Sequence, residues 1–374
     1  MRDLREVIAA ARQVCARGER AALVTVVRVV GSAYRRPGAR MLIEEGGRCV
    51  GLVSGGCLEA DLAERARAVI ESGRPAFVTY DARTDEDLVF GLGSGCEGTI
   101  EVLIERIPER TDGGHLALAA RCLAGREALA LATVFRSEGT ERLGARCWAL
   151  AGGTSGADVA NEALAAELGR AAAAALSGVR HRFVTAAAAG EAVEALVEVL
   201  LPPPELFVLG AGSDADPVVR LAVRLGFDVT VADHRPALVR NERFPGAHRV
   251  VTCAPGRLLE TVDLDPESAV LVMSHSYAHD LGALRQLAGR HRGYLGVLGP
   301  RRRTERMLDE LAREGVALSP EQRARLHAPV GLDIGAETPE EIAVSALAEI
   351  CAVLAGRTGG MLRDRDAPIH GQDA

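Results

Sequence analysis

The 374-residue chain contains no lysine, and all 44 of its basic side chains are arginine. That rules out any Tyr-x-x-x-Lys pair, a pattern expected of one kind of NAD(P)-dependent oxidoreductase. Aromatic residues make up only 3% of the chain, too few to build stacking platforms for single-stranded nucleic acid. The net charge is −7 and no basic stripe is present, which argues against nucleic acid or an anionic membrane as the partner. No apolar run approaches the ~20 residues of a membrane span. Met1-Arg-Asp-Leu-Arg-Glu6 mixes both charge signs, unlike a secretory signal. The eight cysteines (15, 49, 57, 96, 122, 147, 253 and 351) form no Cys-x-x-Cys pair, so a reducing cytoplasm is expected and neither a disulfide scaffold nor a zinc site.

What is present is a chain with 48% hydrophobic and 25% charged residues, long enough for two or three domains with real cores. Its clearest signal is Leu206-Phe-Val-Leu-Gly-Ala-Gly-Ser-Asp-Ala215. A short strand runs into Gly210-x-Gly212-x-x-Ala215, an amphipathic helix from Val218 to Leu225 follows, and Gly226 stops it. Val229-Thr-Val-Ala-Asp233 is the next strand, its acid 21 residues after Gly212. Glycines that admit a pyrophosphate to a helix N-terminus, with an acid for a ribose hydroxyl, form the dinucleotide fingerprint of a Rossmann fold. Gly210, Gly212, Ser213 and Asp233 are therefore candidate nucleotide ligands. Asp214 and Asp216 are placed to cap the helix beside Pro217, and equally to repel a diphosphate.

The first two hundred residues carry an internal repeat. Gly38-Ala-Arg40, Ser72-Gly73 and Phe77-Val-Thr79 return as Gly144-Ala-Arg146, Ser177-Gly178 and Phe183-Val-Thr185, at offsets of 106, 105 and 106. Glu101-Val-Leu-Ile104 and Glu198-Val-Leu-Leu201 read as matching final strands at an offset of 97. The expected fold is α/β: a duplicated N-terminal α/β unit (residues 1–110, then a degenerate copy at 111–201), a Pro202-Pro-Pro204 linker, a Rossmann-like doubly wound domain at 205–356, and a frayed tail at 357–374.

Two glycine-rich cysteine segments, Ser54-Gly-Gly-Cys57 and Gly91-Leu-Gly-Ser-Gly-Cys96, occur in the first copy alone. The second copy offers Gly152-Gly-Thr-Ser-Gly156 where the former is expected. Ser54, Gly55 and Gly56 before a helix can form an anion-binding nest that favours a Cys57 thiolate, with Glu59 in the first turn. Cys57, Cys96 and Glu59 are the candidate reactive residues. Cys57 ranks above Cys96, which precedes a strand and lacks the helix field. Arg35, Arg36 and Arg40 lie on the Gly31–Arg40 connection, and Arg40 is taken as a phosphate ligand, with a solvated loop the competing reading.

In the C-terminal domain, Ser274-His-Ser-Tyr-Ala-His-Asp280 leaves the strand Ala269–Met273 at the carboxyl edge, where ligands of open α/β sheets sit. His275 is a candidate ligand, while His275 and His279 without a third group make no metal site. Asp280 reads as a helix cap. Gly299-Pro-Arg-Arg-Arg303 opens a helix with three arginines, and Arg301 and Arg302 are assigned to a phosphate, the alternative being salt bridges to Glu305, Asp309 and Glu310.

Together Pro37-Gly-Ala-Arg-Met41, Gly55-Gly-Cys-Leu-Glu59, Gly91-Leu-Gly-Ser-Gly-Cys96, Gly210-Ala-Gly212, Asp233-His-Arg-Pro236, Gly296-Val-Leu-Gly-Pro-Arg-Arg-Arg303 and Pro329-Val-Gly-Leu-Asp-Ile-Gly-Ala-Glu-Thr-Pro-Glu-Glu341 resemble the XdhC/CoxI family, accessory proteins of molybdenum hydroxylases such as xanthine and CO dehydrogenases. The resemblance implies a maturation factor that binds the pterin-based molybdenum cofactor, assists its sulfuration and delivers it to an apo molybdenum hydroxylase. A cysteine desulfurase and a second copy of the chain are further partners it admits. Ser213-Asp-Ala215 stands where many relatives have His-Val-Gly, which weighs against a dinucleotide. The competing classes are an NAD(P)-dependent oxidoreductase and a redox sensor that reads a nucleotide and signals through Cys57.

Overall fold

The computed structural model describes residues 2–31, 33–81, 98–108, 114–178, 181–188 and 190–366. The chain divides into two compact units, Met1–Pro202 and Pro203–Ile369. No helix among the described residues is long and apolar enough to cross a membrane.

The first unit holds two five-stranded antiparallel sheets of the same design. In the first copy α1 (Arg2–Ala16) is followed by β1 (Ala21–Gly31), β2 (Arg40–Glu44), β3 (Cys49–Gly51), α2 (Glu59–Ser72), β4 (Ala76–Asp81) and β5 (Gly98–Arg106), with sheet order β3-β2-β1-β5-β4. In the second copy α3 (Gly114–Ala124), β6 (Leu129–Ser137), β7 (Arg146–Leu150), β8 (Ser155–Ala157), α4 (Glu162–Ala175), β9 (His181–Ala188) and β10 (Glu191–Leu200) give the order β8-β7-β6-β10-β9. Helix α2 ends where a side chain is disfavoured, at Gly73 with φ 69°.

Strand register corrects the alignment of the copies. Thr25 stands opposite Arg40 and Leu103, as Thr133 stands opposite Arg146 and Leu196. Glu105 is therefore the counterpart of Glu198, and Glu101 that of Glu194, an offset of 93 rather than 97. Each central strand bulges at equivalent residues, Val27 and Phe135, which meet in a small apolar cluster with Leu103 and Leu196. Four residues around that cluster form a symmetric ion network. Arg28 donates to Glu101 at 2.9 Å and to Glu194 at 2.5 Å, and Arg136 donates to the same two carboxylates at 3.2 and 3.0 Å. The β-bulge exposes on each strand one arginine that reaches both acids.

A second, reciprocal set lies deeper. Arg40 of the first copy forms a two-pronged ion pair with Glu198 of the second, and Arg146 of the second does the same with Glu105 of the first, at 2.5 and 3.0 Å. Each arginine also donates to a carbonyl of its own copy, Gly38 at 2.9 Å and Gly144 at 2.6 Å. A Cβ on Gly144, at φ 79°, would stand 2.0 Å from the Glu105 carboxylate. This explains the repeated Gly-Ala-Arg: glycine admits the partner copy's acid, and arginine binds it. Residue i contacting j while j contacts i is the signature of an isologous interface, here made within one chain.

The second unit is a parallel six-stranded sheet. Its elements are β11 (Glu205–Leu209), α5 (Ala215–Leu225), β12 (Asp228–Asp233), β13 (Arg249–Thr252), α6 (Leu258–Thr261), β14 (Ala269–Val272), α7 (Tyr277–Leu287), β15 (Leu295–Val297), α8 (Arg301–Arg313), α9 (Pro320–Ala324), β16 (Leu326–His327) and α10 (Pro339–Leu354). The order β13-β12-β11-β14-β15-β16 is the doubly wound 3-2-1-4-5-6 arrangement, with its switch point at β11 and β14. Apolar clusters fill both faces, as all-parallel strands require: Val218, Val219 and Leu347 on one, Leu284, Met307 and Leu311 on the other. Helices α9 and α10 open with complete capping boxes at Ser319 and Thr338, each with proline in the first turn. Of the tail from 357, the described residues carry a 3₁₀ turn at Leu362–Asp364.

Candidate functional site

The connection from β3 to α2, residues 52–58, is built differently from its counterpart in the second copy. There, residues 158–161 enter α4 through a conventional cap, with Asn161 accepting from the N–H groups of Ala163 and Leu164. Register makes Gly152–Gly156 equivalent to the β2–β3 turn, so that segment is not the counterpart of the cysteine loop as the sequence suggested.

In the first copy a brace replaces the cap. The Ser54 hydroxyl donates to Glu59 at 2.5 Å and accepts from the N–H groups of Gly56 and Leu58, both at 3.2 Å. Glu59 also accepts from the N–H groups of Ser54 and Leu58, each at 3.1 Å. Two sequence expectations change accordingly. Of the N–H groups read as an anion nest, that of Ser54 is taken by the chain's own Glu59 carboxylate and that of Gly56 by the Ser54 hydroxyl, and Ser54 and Glu59 are committed to one another. The brace pins both ends of the loop and leaves Gly55, Gly56 and Cys57 between them. Gly56, at φ 110°, has open space where a side chain would be, and Cys57 is half-buried.

Beside this loop lies a residue that the sequence reading passed over. A Cβ on Gly55 would be 3.9 Å from the Tyr34 ring, so the ring rests against the loop backbone while the side chain stays 64% exposed. The arginines nearby are not equivalent. Arg40 is withdrawn into its pair with Glu198, 6% and 1% exposed, which corrects its assignment to a phosphate. Arg35 is held by Asp3 at 2.5 Å. Arg36 is exposed and has no side-chain partner among the described residues. A lone aromatic followed by adjacent arginines was the available signal; which arginine lacked a side-chain partner among the described residues was not readable from it. Cys49, also exposed, has its thiol pushed up by burial and by Glu59, which disfavours the thiolate. Cys122 and Cys147 are buried thiols raised to about 11, the inert behaviour expected of them. Cys96, with Gly91–Glu97, lies outside the described residues.

At the carboxyl edge of the second unit's sheet the predicted residues do converge, but on one another. Asp233 accepts from the Ala211 N–H at 2.7 Å and from Arg235 through its backbone N–H and guanidinium at 2.8–2.9 Å. Burial raises the Asp233 carboxyl, yet the Arg235 and Ala211 hydrogen bonds outweigh it and hold the group well below the usual carboxylate range. Asp214 occupies the N-cap position of α5 without making a cap bond, contrary to expectation; it lies 2.7 Å from His275 Nε2 instead. Asp216 pairs with Arg220 at 2.8 Å. The His279 ring lies against that of His234, centroids 3.8 Å apart and planes tilted by 42°, and burial lowers its pKa. Asp280 accepts from Ser274 and, at 2.6 Å, from Arg303, so it clamps the start of α8 and caps nothing. Arg301 pairs with Glu305 at 2.8 Å, the salt-bridge alternative, while Arg302 is exposed without a side-chain partner among the described residues. No group of side chains suited to a metal ion occurs among the described residues.

Comparison with known proteins agrees with this architecture. Residues 14–81 match the XdhC and CoxI family and residues 206–350 the XdhC Rossmann domain. A probable xanthine dehydrogenase subunit of Bacillus subtilis is 34% identical over 334 residues, covering 89% of this chain and 92% of that protein. The chain belongs to the XdhC and CoxI family. This XdhC/CoxI chain is also 25% identical to the molybdenum cofactor insertion chaperone PaoD of Escherichia coli, over 94% of this chain and 89% of that protein. A crystal structure described as a xanthine dehydrogenase from Bacillus halodurans superposes with a TM-score of 0.74 at 29% identity, covering 94% and 97% of the two chains.

Proposed function

We propose that this XdhC/CoxI protein is a maturation factor that binds the molybdenum cofactor as cargo, assists its sulfuration and delivers it to an apo molybdenum hydroxylase, with a cysteine desulfurase as sulfur source. The observation that carries the reading is the Gly55–Cys57 loop: of two copies with one fold, one has an ordinary helix cap and the other an opened glycine loop bearing a thiol. The names of the relatives from B. subtilis and E. coli point to the same cargo and client.

Each residue has a role in holding that cargo. Cys57 is a soft sulfur donor suited to molybdenum or to incoming sulfur. Gly55 and Gly56 let the backbone approach a flat ring closely. The exposed Tyr34 ring offers stacking area to a pterin, and Arg36 is the cation left for the cofactor's phosphate. Ser54 and Glu59 hold the loop open and act as positioning residues. Expression in a cofactor-producing host, acid oxidation and fluorescence of the released pterin test the reading. The wild type should retain pterin, Tyr34→Ala and Arg36→Ala should retain several-fold less, and Arg35→Ala should match the wild type. No pterin in the purified protein or after reconstitution would overturn it.

A further inference from the structure

The fold of the second unit implies a nicotinamide dinucleotide, and its residues do not fit one. In such a site the second glycine is bare so that a diphosphate can reach the backbone. Here a Cβ on Gly212 would stand 2.4 Å from Asp214 Oδ1, so the space vacated by the glycine is filled by the chain's own carboxylate. His275 grips that carboxylate from the β14 side at 2.7 Å; it is the one non-glycine residue at positive φ among the described residues, at 58°. The ribose acid is equally engaged, because both Asp233 oxygens already accept from Arg235, one also from the Ala211 N–H, and the side chain is fully buried. The first glycine serves packing: at φ 128°, a Cβ on Gly210 would stand 2.4 Å from the Met273 carbonyl oxygen. Arg243 fixes the turn by donating to the Ala211 and Gly212 carbonyls at 2.7 and 3.2 Å.

We infer that this crevice does not take NAD(P): every element of its fingerprint serves internal architecture, and Asp214, held by His275, is the group that closes the diphosphate subsite. The carboxylate both occupies the subsite and repels phosphate, which at close range weakens binding tenfold or more. The inference is independent of the cofactor reading, since it concerns the second unit alone.

Calorimetry on the full-length protein with NAD, NADP and their reduced forms, with and without magnesium, tests it. The wild type should show no binding at millimolar nucleotide. Asp214→Gly should gain at least about tenfold in affinity, and Asp214→Gly combined with Arg235→Ala, which also releases Asp233, should gain more. Asp214 makes no cap bond, so circular dichroism and melting should show Asp214→Gly folded near the wild-type midpoint. The double variant should melt lower, because Arg235→Ala removes the guanidinium from buried Asp233, and its binding is read at a temperature where circular dichroism shows it folded. Asp216→Asn, which removes an acid of the same helix turn, should gain nothing. Tight binding by the wild type would overturn the inference. Failure of the folded double variant to bind would overturn the assignment of closure to Asp214, as would an equal gain in Asp216→Asn.

Discussion

Replacing Glu198 with alanine leaves the Arg40 guanidinium inside the first unit without its carboxylate. Both side chains are almost fully excluded from water, so solvent cannot take over the lost contact. Removing one partner of such a buried pair costs about 3–5 kcal/mol, chiefly because the remaining charge is stranded. In a unit of this size each kcal/mol moves the midpoint by roughly 2–4 °C, so the variant should melt about 6–20 °C lower. The interface is reciprocal, and Glu105→Ala should therefore lower the midpoint comparably by stranding Arg146. Arg40→Ala should also destabilise, and Arg40→Ala with Glu198→Ala should fall short of the sum of the single losses, which a double-mutant cycle in a calorimeter measures directly. A phosphate-binding Arg40 makes the opposite forecast. Midpoints within about 2 °C of wild type for Arg40→Ala and Glu198→Ala, a shift worth less than ~1 kcal/mol, together with loss of retained pterin in Arg40→Ala, would refute the buried-pair argument.

Cys57→Ser should abolish activation of the client hydroxylase in a reconstituted assay without lowering the melting point, whereas Cys15→Ser, whose thiol donates to the Pro108 carbonyl at the surface, should leave activation unchanged; the reverse result would sink the assignment. Asp233 supplies a pH signature. A carboxyl lowered on folding contributes fully above its unfolded value near 4, and the contribution is lost as pH falls towards the folded value. Asp233→Asn should thus cost about 1.5–3 kcal/mol at neutral pH and progressively less below about pH 4; a gap between wild type and variant that is constant with pH would contradict it.

The sequence by itself determined what is local or periodic. Apolar runs punctuated by Gly73 and Gly226 placed helices and strands, because glycine alone takes the left-handed conformation that ends a helix cheaply. The capping boxes at Ser319 and Thr338 were legible from four-residue spacing, and the order of motifs revealed both the duplication and the doubly wound sheet. Tertiary structure alone decided which polar groups were free to act. Arg40 and Glu198 are 158 residues apart, and their meeting depends on strand register and on one sheet packing against its copy. The same holds for Asp214 and His275, and for Tyr34 on Gly55. Spacing specifies a conformation over a few residues, whereas the availability of a charge depends on every surface brought against it. An arginine motif repeated in both copies therefore looked like a ligand site and proved to be an interface, and a dinucleotide fingerprint complete in sequence is, in three dimensions, filled by its own side chains.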